Sequence, residues 1–404
     1  MDGLMPAGVL AQLKAAYQEQ FGPLPGRMLA VVAPGRTEIA GNHTDHEGGQ
    51  VIAGAVDRYV SGLFVPNGSG RIRLYSVGYG LVDIDGADLS VHEEERNGTA
   101  ALVRGLVAGM RALGYGEESS GFDACITSEV PAGSGLSSSA AFELEVAQAL
   151  DALWADGALP PVKLAQLSQA AERDFFGKPC GLMDQASVAL GGIAHMDFAN
   201  ADEPQVEKLD FDFSRAGYAL CLVAVGQDHA ASTADYAAVP QEMQAVAHLF
   251  GAGRLCEVAE ADVLAHLGSV RERLGDRAAL RALHYFREER LVEERACALK
   301  AGDMERFLEL ERLSGASSAM YLQNVSTGDV QEQPAMVALA VAEELLHGQG
   351  AVRIHGGGFG GTIQAFVRLD EAEAFCQKMD AALGEAGAAA SYAIDHEGAR
   401  SQWL

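Results

Sequence analysis

Three stretches of this chain gather residue types that chemistry uses. The first, Ala33 to Gly49, packs Arg36, His43, Asp45 and His46 between glycines. A density like this exceeds what a connection between strands needs. Carboxylate and imidazole can hydrogen-bond the hydroxyls of a sugar or polyol, and an arginine can meet an anion. The same histidines and aspartate suit zinc or manganese, although their spacing does not place them on one helical face. A solvated turn is the third reading. The second stretch is Gly133, Ser134, Gly135, Leu136, Ser137, Ser138 and Ser139. Such a loop can aim backbone N–H groups and a helix N-terminus at one point, which favours phosphate. It lacks the lysine of a P-loop and the third glycine of a dinucleotide fingerprint. The third is Asp184 in Cys180 to Gln185. In the first turn of a helix the dipole keeps its carboxylate ionised, so it can serve as a general base or merely complement that dipole.

The elements that must hold these groups are legible from periodicity. Phe122 to Val130 alternates as a half-buried strand, and Phe142, Val146, Leu150 and Trp154 recur at helical spacing, so the glycine and serine loop joins a strand to a helix. Met28 to Val32 reads as a buried strand entering the Arg36 segment. A helix through Leu164, Leu167, Ala171 and Phe175 stops at Gly177-Lys178-Pro179, and a short helix carries Asp184 to Leu190. Strands followed by helices and then mixed again suggest an α+β chain. A charged connection, Asn200 to Lys208, sets the expected domain boundary, with domains over 1–200 and 201–404. Beyond it the spacing predicts helices over Gln241 to Phe250, Val263 to Leu274, Ala278 to Leu299, Met304 to Leu313 and Met336 to Leu346. Gly356, Gly358 and Gly361 match G-x-G-x-x-G but stand between two strands, a context that refuses a dinucleotide fold.

Composition narrows the class. The chain has 404 residues, 49% hydrophobic and 21% charged, with room for two cores. A net charge of -27 argues against nucleic acid and anionic membranes. Six scattered cysteines without C-x-x-C spacing indicate neither a zinc site nor a disulfide framework and fit a reducing cytoplasm.

Three segments in order, P-G-R…G-x-H-T-D, P-x-G-x-G-L-S-S-S-A and G-G-G-F-G-G, resemble the motifs of the GHMP small-molecule kinases. The first segment and Cys180 to Gln185 are most similar to the galactokinase branch, and the resemblance runs from Ala33 to about Val367. It implies a two-domain fold, with a ribosomal-protein-S5-like N-terminal domain and a ferredoxin-like C-terminal domain. It also implies ATP and Mg2+ as cofactors, a cytoplasmic monomer, and phosphorylation of galactose at its C1 hydroxyl. By the resemblance, Gly133 to Ser139 wrap the ATP phosphates and Ser139 with Glu172 hold magnesium. Asp184 takes the proton of the C1 hydroxyl, and Arg36 activates that hydroxyl and steadies the phosphoryl group. Asn42, His43, Asp45, Gly181 and Tyr236 match sugar-contact positions, and Gly357 to Gly361 brace the site. Asn42 stands where galactokinases carry glutamate and His46 where they carry tyrosine. These departures touch the choice of sugar, so galacturonate and N-acetylgalactosamine are weighed beside galactose. A sugar-sensing regulator without turnover is the rival of another class, and the retained Arg36, Glu172 and Asp184 argue against it.

Overall fold

The computed structural model describes residues 3–131, 135–178, 180–200, 203–225, 233–359 and 361–404. In chain order the first group of elements is α1 (Ala7–Phe21), β1 (Leu29–Ala40), β2 (Gln50–Pro66), β3 (Arg71–Ser76), β4 (Gly80–Asp85), α2 (Thr99–Ala112), β5 (Phe122–Ser128), α3 (Ser138–Trp154), α4 (Pro161–Ala170), α5 (Met183–Leu190), β6 (Ile193–Asp197) and β7 (Gln205–Leu209). The second is β8 (Tyr218–Ala224), α6 (Thr233–Leu249), α7 (Glu260–Ala265), α8 (Leu267–Leu274), α9 (Asp276–Ala301), α10 (Met304–Ser317), α11 (Pro334–Leu346), β9 (Ala351–His355), β10 (Thr362–Arg368), α12 (Ala372–Leu383), β11 (Ala389–Tyr392) and β12 (Arg400–Trp403).

The first sheet runs β12-β1-β2-β5-β3-β4, with β6 and β7 attached beyond β2. The long strand β2 makes this possible, pairing β5 through Val60–Pro66 and β6 through Gln50–Gly54. Side chains of β1 alternate between two cores: Leu29, Val31 and Ala33 join the helix layer containing α3, while Ala30 and Val32 lie under Leu13 and Tyr17 of α1. Sheet membership does not change at residue 200, because β7 pairs with β6 and β12 returns to pair with β1. β7 was expected to be part of a charged connection. Its exposed Glu207 and Lys208 mask the inward Val206 and Leu209, as suits an edge strand.

The second sheet is antiparallel, in the order β11-β8-β10-β9. Numbered by occurrence this is 4-1-3-2, the ferredoxin-like arrangement, and Ala335, Ala338 and Ala342 of α11 pack on it with Phe375 and Met379 of α12. The helices α6 to α10 fill the connection between β8 and β9. The expected helix Val263 to Leu274 is two helices that meet at His266, and α6 begins at Thr233, well before Gln241. Pro240 lies inside α6 and disguised its first turns. Among the described residues no helix is long and apolar enough to cross a membrane.

Candidate active site

β1 continues past Val32 as a strand through Arg36 and Glu38 to Ala40, with register shifts at Pro34/Gly35 and Glu38/Ala40. As far as Ala40, the segment for which a solvated turn was one reading is therefore a buried, bulged strand, and bulges of this kind re-aim side chains beside functional sites. Gly35 lets β1 approach the glycine and serine loop, since a Cβ there would meet the Leu136 carbonyl at 3.1 Å. The Arg36 N–H donates to that carbonyl at 2.9 Å.

From this strand the Arg36 guanidinium reaches Asp184 in the first turn of α5. Its Nε lies 2.5 Å from Oδ1 and its Nη2 lies 2.6 Å from Oδ2. A third nitrogen, Nη1, donates to the Gly135 carbonyl. Ser137 occupies the N-cap of α3 with φ +54°, and its hydroxyl caps nothing: it donates to Asp184 Oδ2 at 2.6 Å. Burial works to raise the Asp184 pKa, but Arg36 and then Ser137 more than reverse this and hold it below the ordinary value. Asp184 is thus an ionised acceptor where the expected phosphate loop meets the sugar segment. Gly133 and Ser134 of that loop lie outside the described residues, as does Gly360.

A cavity of ≈ 300 Å³ opens on Asp184 and Arg36. His43, Asp45, Gly181 and Tyr236, all expected at the sugar, line it, as do Glu38 and Lys178. His43 has φ +61° and donates from Nε2 to the Gly357 carbonyl at 3.0 Å. Burial, with His46 beside it, lowers its pKa to about 3, so the ring is neutral. Two glycines are dictated by close approach: a Cβ at Gly181 would fall 1.8 Å from Asp45 Oδ2, and one at Gly357 would fall 2.4 Å from the Tyr236 ring. On the far side of the loop a more apolar cavity of ≈ 300 Å³ is lined by Val60, Tyr79, Leu102, Val130, Ser139 and Phe142.

Asn42 is the correction. It was expected to contact substrate, yet its side chain is fully buried and does not line the cavity. Its Nδ2 donates to the Gly356 carbonyl at 2.6 Å and to Glu38 Oε1 at 3.3 Å. Its Oδ1 accepts from Ser318 at 3.1 Å and Asn324 at 2.8 Å. The residue following a bulged strand end turned inward, and Glu38 brings a carboxylate to the cavity instead. Glu38 is tied by Arg353 Nη1 at 2.8 Å into a buried chain: Arg353 Nε to Glu311 at 2.6 Å, Arg295 Nη1 to Glu311 at 2.7 Å, and Arg295 Nη2 to Glu288. This chain fastens β1 to β9, α10 and α9. Replacing one member would strand its partner's charge, at a cost of about 3–5 kcal/mol.

Glu172, the expected metal ligand, sits in a wide π-type turn that follows α4. Turns of this kind occur often at functional sites. Its carboxylate receives Lys178 Nζ at 3.0 Å and Gln185 Nε2 at 2.7 Å. The same Gln185 nitrogen donates to Glu143 at 3.1 Å, whose other oxygen is buried without a partner among the described residues. Burial, and Glu172 beside it, push the Glu143 carboxyl well above its ordinary range. Ser139 lines the apolar cavity in the first turn of α3. Among the described residues no group of three or more His, Cys, Asp or Glu gathers as a metal cage. Sequence reasoning missed Lys178 and Glu38. The Gly177-Lys178-Pro179 triplet reads only as a helix stop, and β1 gives no sign of which residues face a cavity.

Comparison with known proteins gives the family. The family described as GHMP kinases N terminal domain matches residues 101–192, and the galactokinase galactose-binding signature matches 15–64. A galactokinase of Streptomyces coelicolor is 30% identical over 389 residues, covering 95% of each chain. One from Roseiflexus sp. is 32% identical over 375 residues, covering 90% of this chain and 89% of that one. Among solved structures, Lactococcus lactis galactokinase complexed with galactose superposes with a TM-score of 0.83 at 24% identity, over 97% of this chain and 99% of that one. A mevalonate kinase superposes at 0.64 with 14% identity, over 91% and 99%. With this coverage and identity, and with the three motifs folded around one aspartate, the chain belongs to the galactokinase family of GHMP kinases.

Proposed function

We propose that the protein transfers the γ-phosphoryl group of ATP to the C1 hydroxyl of galactose, giving galactose 1-phosphate. The single observation that carries this reading is the Arg36–Asp184 pair, set where the sugar-sized cavity meets the phosphate loop. Phosphoryl transfer needs positioning and charge neutralisation more than covalent chemistry. Asp184, acceptor-only and ionised, takes the hydroxyl proton as the phosphoryl group is transferred. Arg36 orients that carboxylate and sets positive charge beside the reacting oxygens. Lys178, on the same cavity, adds a second cation. His43, neutral and donating from Nε2 to the Gly357 carbonyl, and Asp45 supply polar edges for sugar hydroxyls, with Tyr236 as an aromatic wall against His43.

The apolar cavity beyond the loop suits the nucleotide base, with Ser137 to Ser139 between base and phosphates. The residues present fit a magnesium ion in one respect. Glu172 and the Ser139 hydroxyl are hard oxygen donors, phosphate oxygens would complete the set, and the Glu143 carboxyl beside Glu172 keeps one oxygen unpartnered among the described residues. Bound there with ATP, the ion would neutralise phosphate charge.

Glu38 favours galactose over galacturonate. A sugar carrying a C6 carboxylate would bring a second acid beside Glu38 in the cavity, where acidic groups held close together in a desolvated site repel. The test is an ATP-coupled assay of galactose, galacturonate, N-acetylgalactosamine and glucose. Highest kcat/KM on galactose is expected. Preference for galacturonate overturns the substrate, and absence of turnover on every sugar overturns the enzymatic reading.

A further inference from the structure

Two buried polar atoms on the second sheet lack partners among the described residues, and both face one glycine of the phosphate loop. His355 ends β9, Thr362 begins β10, and the two are register partners, each 2% exposed. Among the described residues, His355 Nδ1 and Thr362 Oγ1 make no hydrogen bond. A Cβ placed on Gly135 would meet these atoms at 2.8 and 3.2 Å.

The open atom on His355 is a donor. The Glu38 N–H donates to His355 Nε2 at 3.1 Å, so Nε2 carries the lone pair and the neutral ring holds its proton on Nδ1. The Thr37 hydroxyl stands on the same Nε2 at 3.0 Å, and Thr37 is itself fixed by Gln364 at 2.8 Å. Burial, followed by Arg36 and Arg353, keeps the ring uncharged. A buried donor left without an acceptor is expensive and calls for an explanation.

Gly135 supplies one. Its carbonyl is held by Arg36 Nη1, a cationic donor engaged on a neutral acceptor beside the reacting centre. With φ +77° and no Cβ, Gly135 can rotate its following peptide where another residue could not. Rotation of the Gly135–Leu136 peptide would carry the carbonyl from Arg36 toward His355 and Thr362 and turn the Leu136 N–H the opposite way, as a phosphate-binding loop requires.

We propose that His355 and Thr362 are positioning residues that receive the Gly135 carbonyl when nucleotide binds, leaving Arg36 Nη1 for the phosphoryl oxygens. This rests on the kinase reading for its ligand. No bond is made or broken beyond the exchange of one hydrogen-bond donor for two.

Three variants test it, with adenylyl imidodiphosphate and magnesium as the binding probe and ATP with galactose for turnover. Thr362→Val removes only the hydroxyl. His355→Gln keeps an acceptor near Nε2 and loses the Nδ1 donor, whereas His355→Asn keeps a donor near Nδ1. Thr362→Val and His355→Gln are expected to weaken analogue binding about tenfold and lower kcat about tenfold, with galactose KM within about twofold. His355→Asn is expected to bind the analogue within about threefold of the parent. Thr362→Val is also expected to melt no lower than the parent, because it removes an unpaired buried hydroxyl. Unchanged analogue binding in Thr362→Val and His355→Gln overturns the proposal. So does a loss in His355→Asn equal to that in His355→Gln and matched by an equal fall in Tm. A parent that binds the analogue yet phosphorylates no sugar overturns the functional reading alone, since the binding comparison among variants stands apart from it.

Discussion

Arg36 grips both carboxylate oxygens of Asp184, at 2.5 and 2.6 Å, across 148 positions of sequence. One residue comes from a bulged strand, the other from the first turn of a helix, and the serine that should cap α3 donates to the same carboxylate. The resulting acceptor has fixed direction and fixed charge.

Asp184→Asn keeps the shape and cannot accept a proton. The expected outcome is a fall in kcat of about 100-fold or more, with galactose affinity by calorimetry within a few-fold. Turnover within about fivefold of the parent would remove Asp184 from the role of base.

The pH profile follows from the same pair. Because the folded Asp184 pKa lies below its ordinary value, the base stays ionised as pH falls, and the acid limb of kcat/KM should lie below the usual aspartate range near about 3.9. Arg36→Gln deletes the cation and leaves burial, which raises the pKa, so the limb should move to higher pH as activity drops. An unmoved limb in that variant contradicts the coupling.

Asn42→Glu should act on stability rather than on sugar choice. The new carboxylate would sit against Glu38 in a buried site and would lose the amide donor to Gly356. A loss of about 3 kcal/mol or more in urea unfolding is expected. A folded single variant of parental stability with altered sugar preference would restore Asn42 to the substrate.

Glu145 offers a stabilising change. It lies fully buried on α3 with neither oxygen bonded among the described residues, and burial pushes its carboxyl well above the ordinary range. Above the ordinary value of about 4.3 the unfolded chain ionises this group while the folded one keeps the proton, so the wild type loses stability as pH rises through that window. Glu145→Leu should therefore raise stability by about 1–3 kcal/mol at pH 8, with the gain shrinking toward pH 4. Equal gains at both pH values would mean that ionisation is not involved.

The meeting of Asp184 and Arg36 was legible because their neighbours in sequence carry a type pattern that the fold preserves. His43, Asp45, Gly181 and Tyr236 were legible for the same reason, and the cavity gathers all four. Asn42 was misplaced because adjacency to His43 says nothing about which way a residue turns after a bulge. Lys178 and Glu38 gave no signal, since one looks like a helix stop and the other like an ordinary strand position. The pair His355 and Thr362 depends on register across a turn, which no local pattern encodes. Regular elements with clear period were read to within a few residues, while β7 and the start of α6 were hidden by a charged edge and an internal proline.

The pairing of β12 with the first half of β1 has a consequence for the nascent chain. Leu29–Val32 form the stretch of β1 that leads to Arg36, and their outer partners are Arg400–Trp403, with Arg27 stacked 3.9 Å over the Trp403 ring. On a ribosome adding about 5–20 residues per second, that edge waits on the order of tens of seconds for its neighbour. During this interval the strand bearing Arg36 presents unpaired backbone groups, open to a chaperone or to another nascent chain. A ribosome that stalls before Arg400 would release a polypeptide in which Arg36 and Asp184 are both translated and the first sheet is still unsealed.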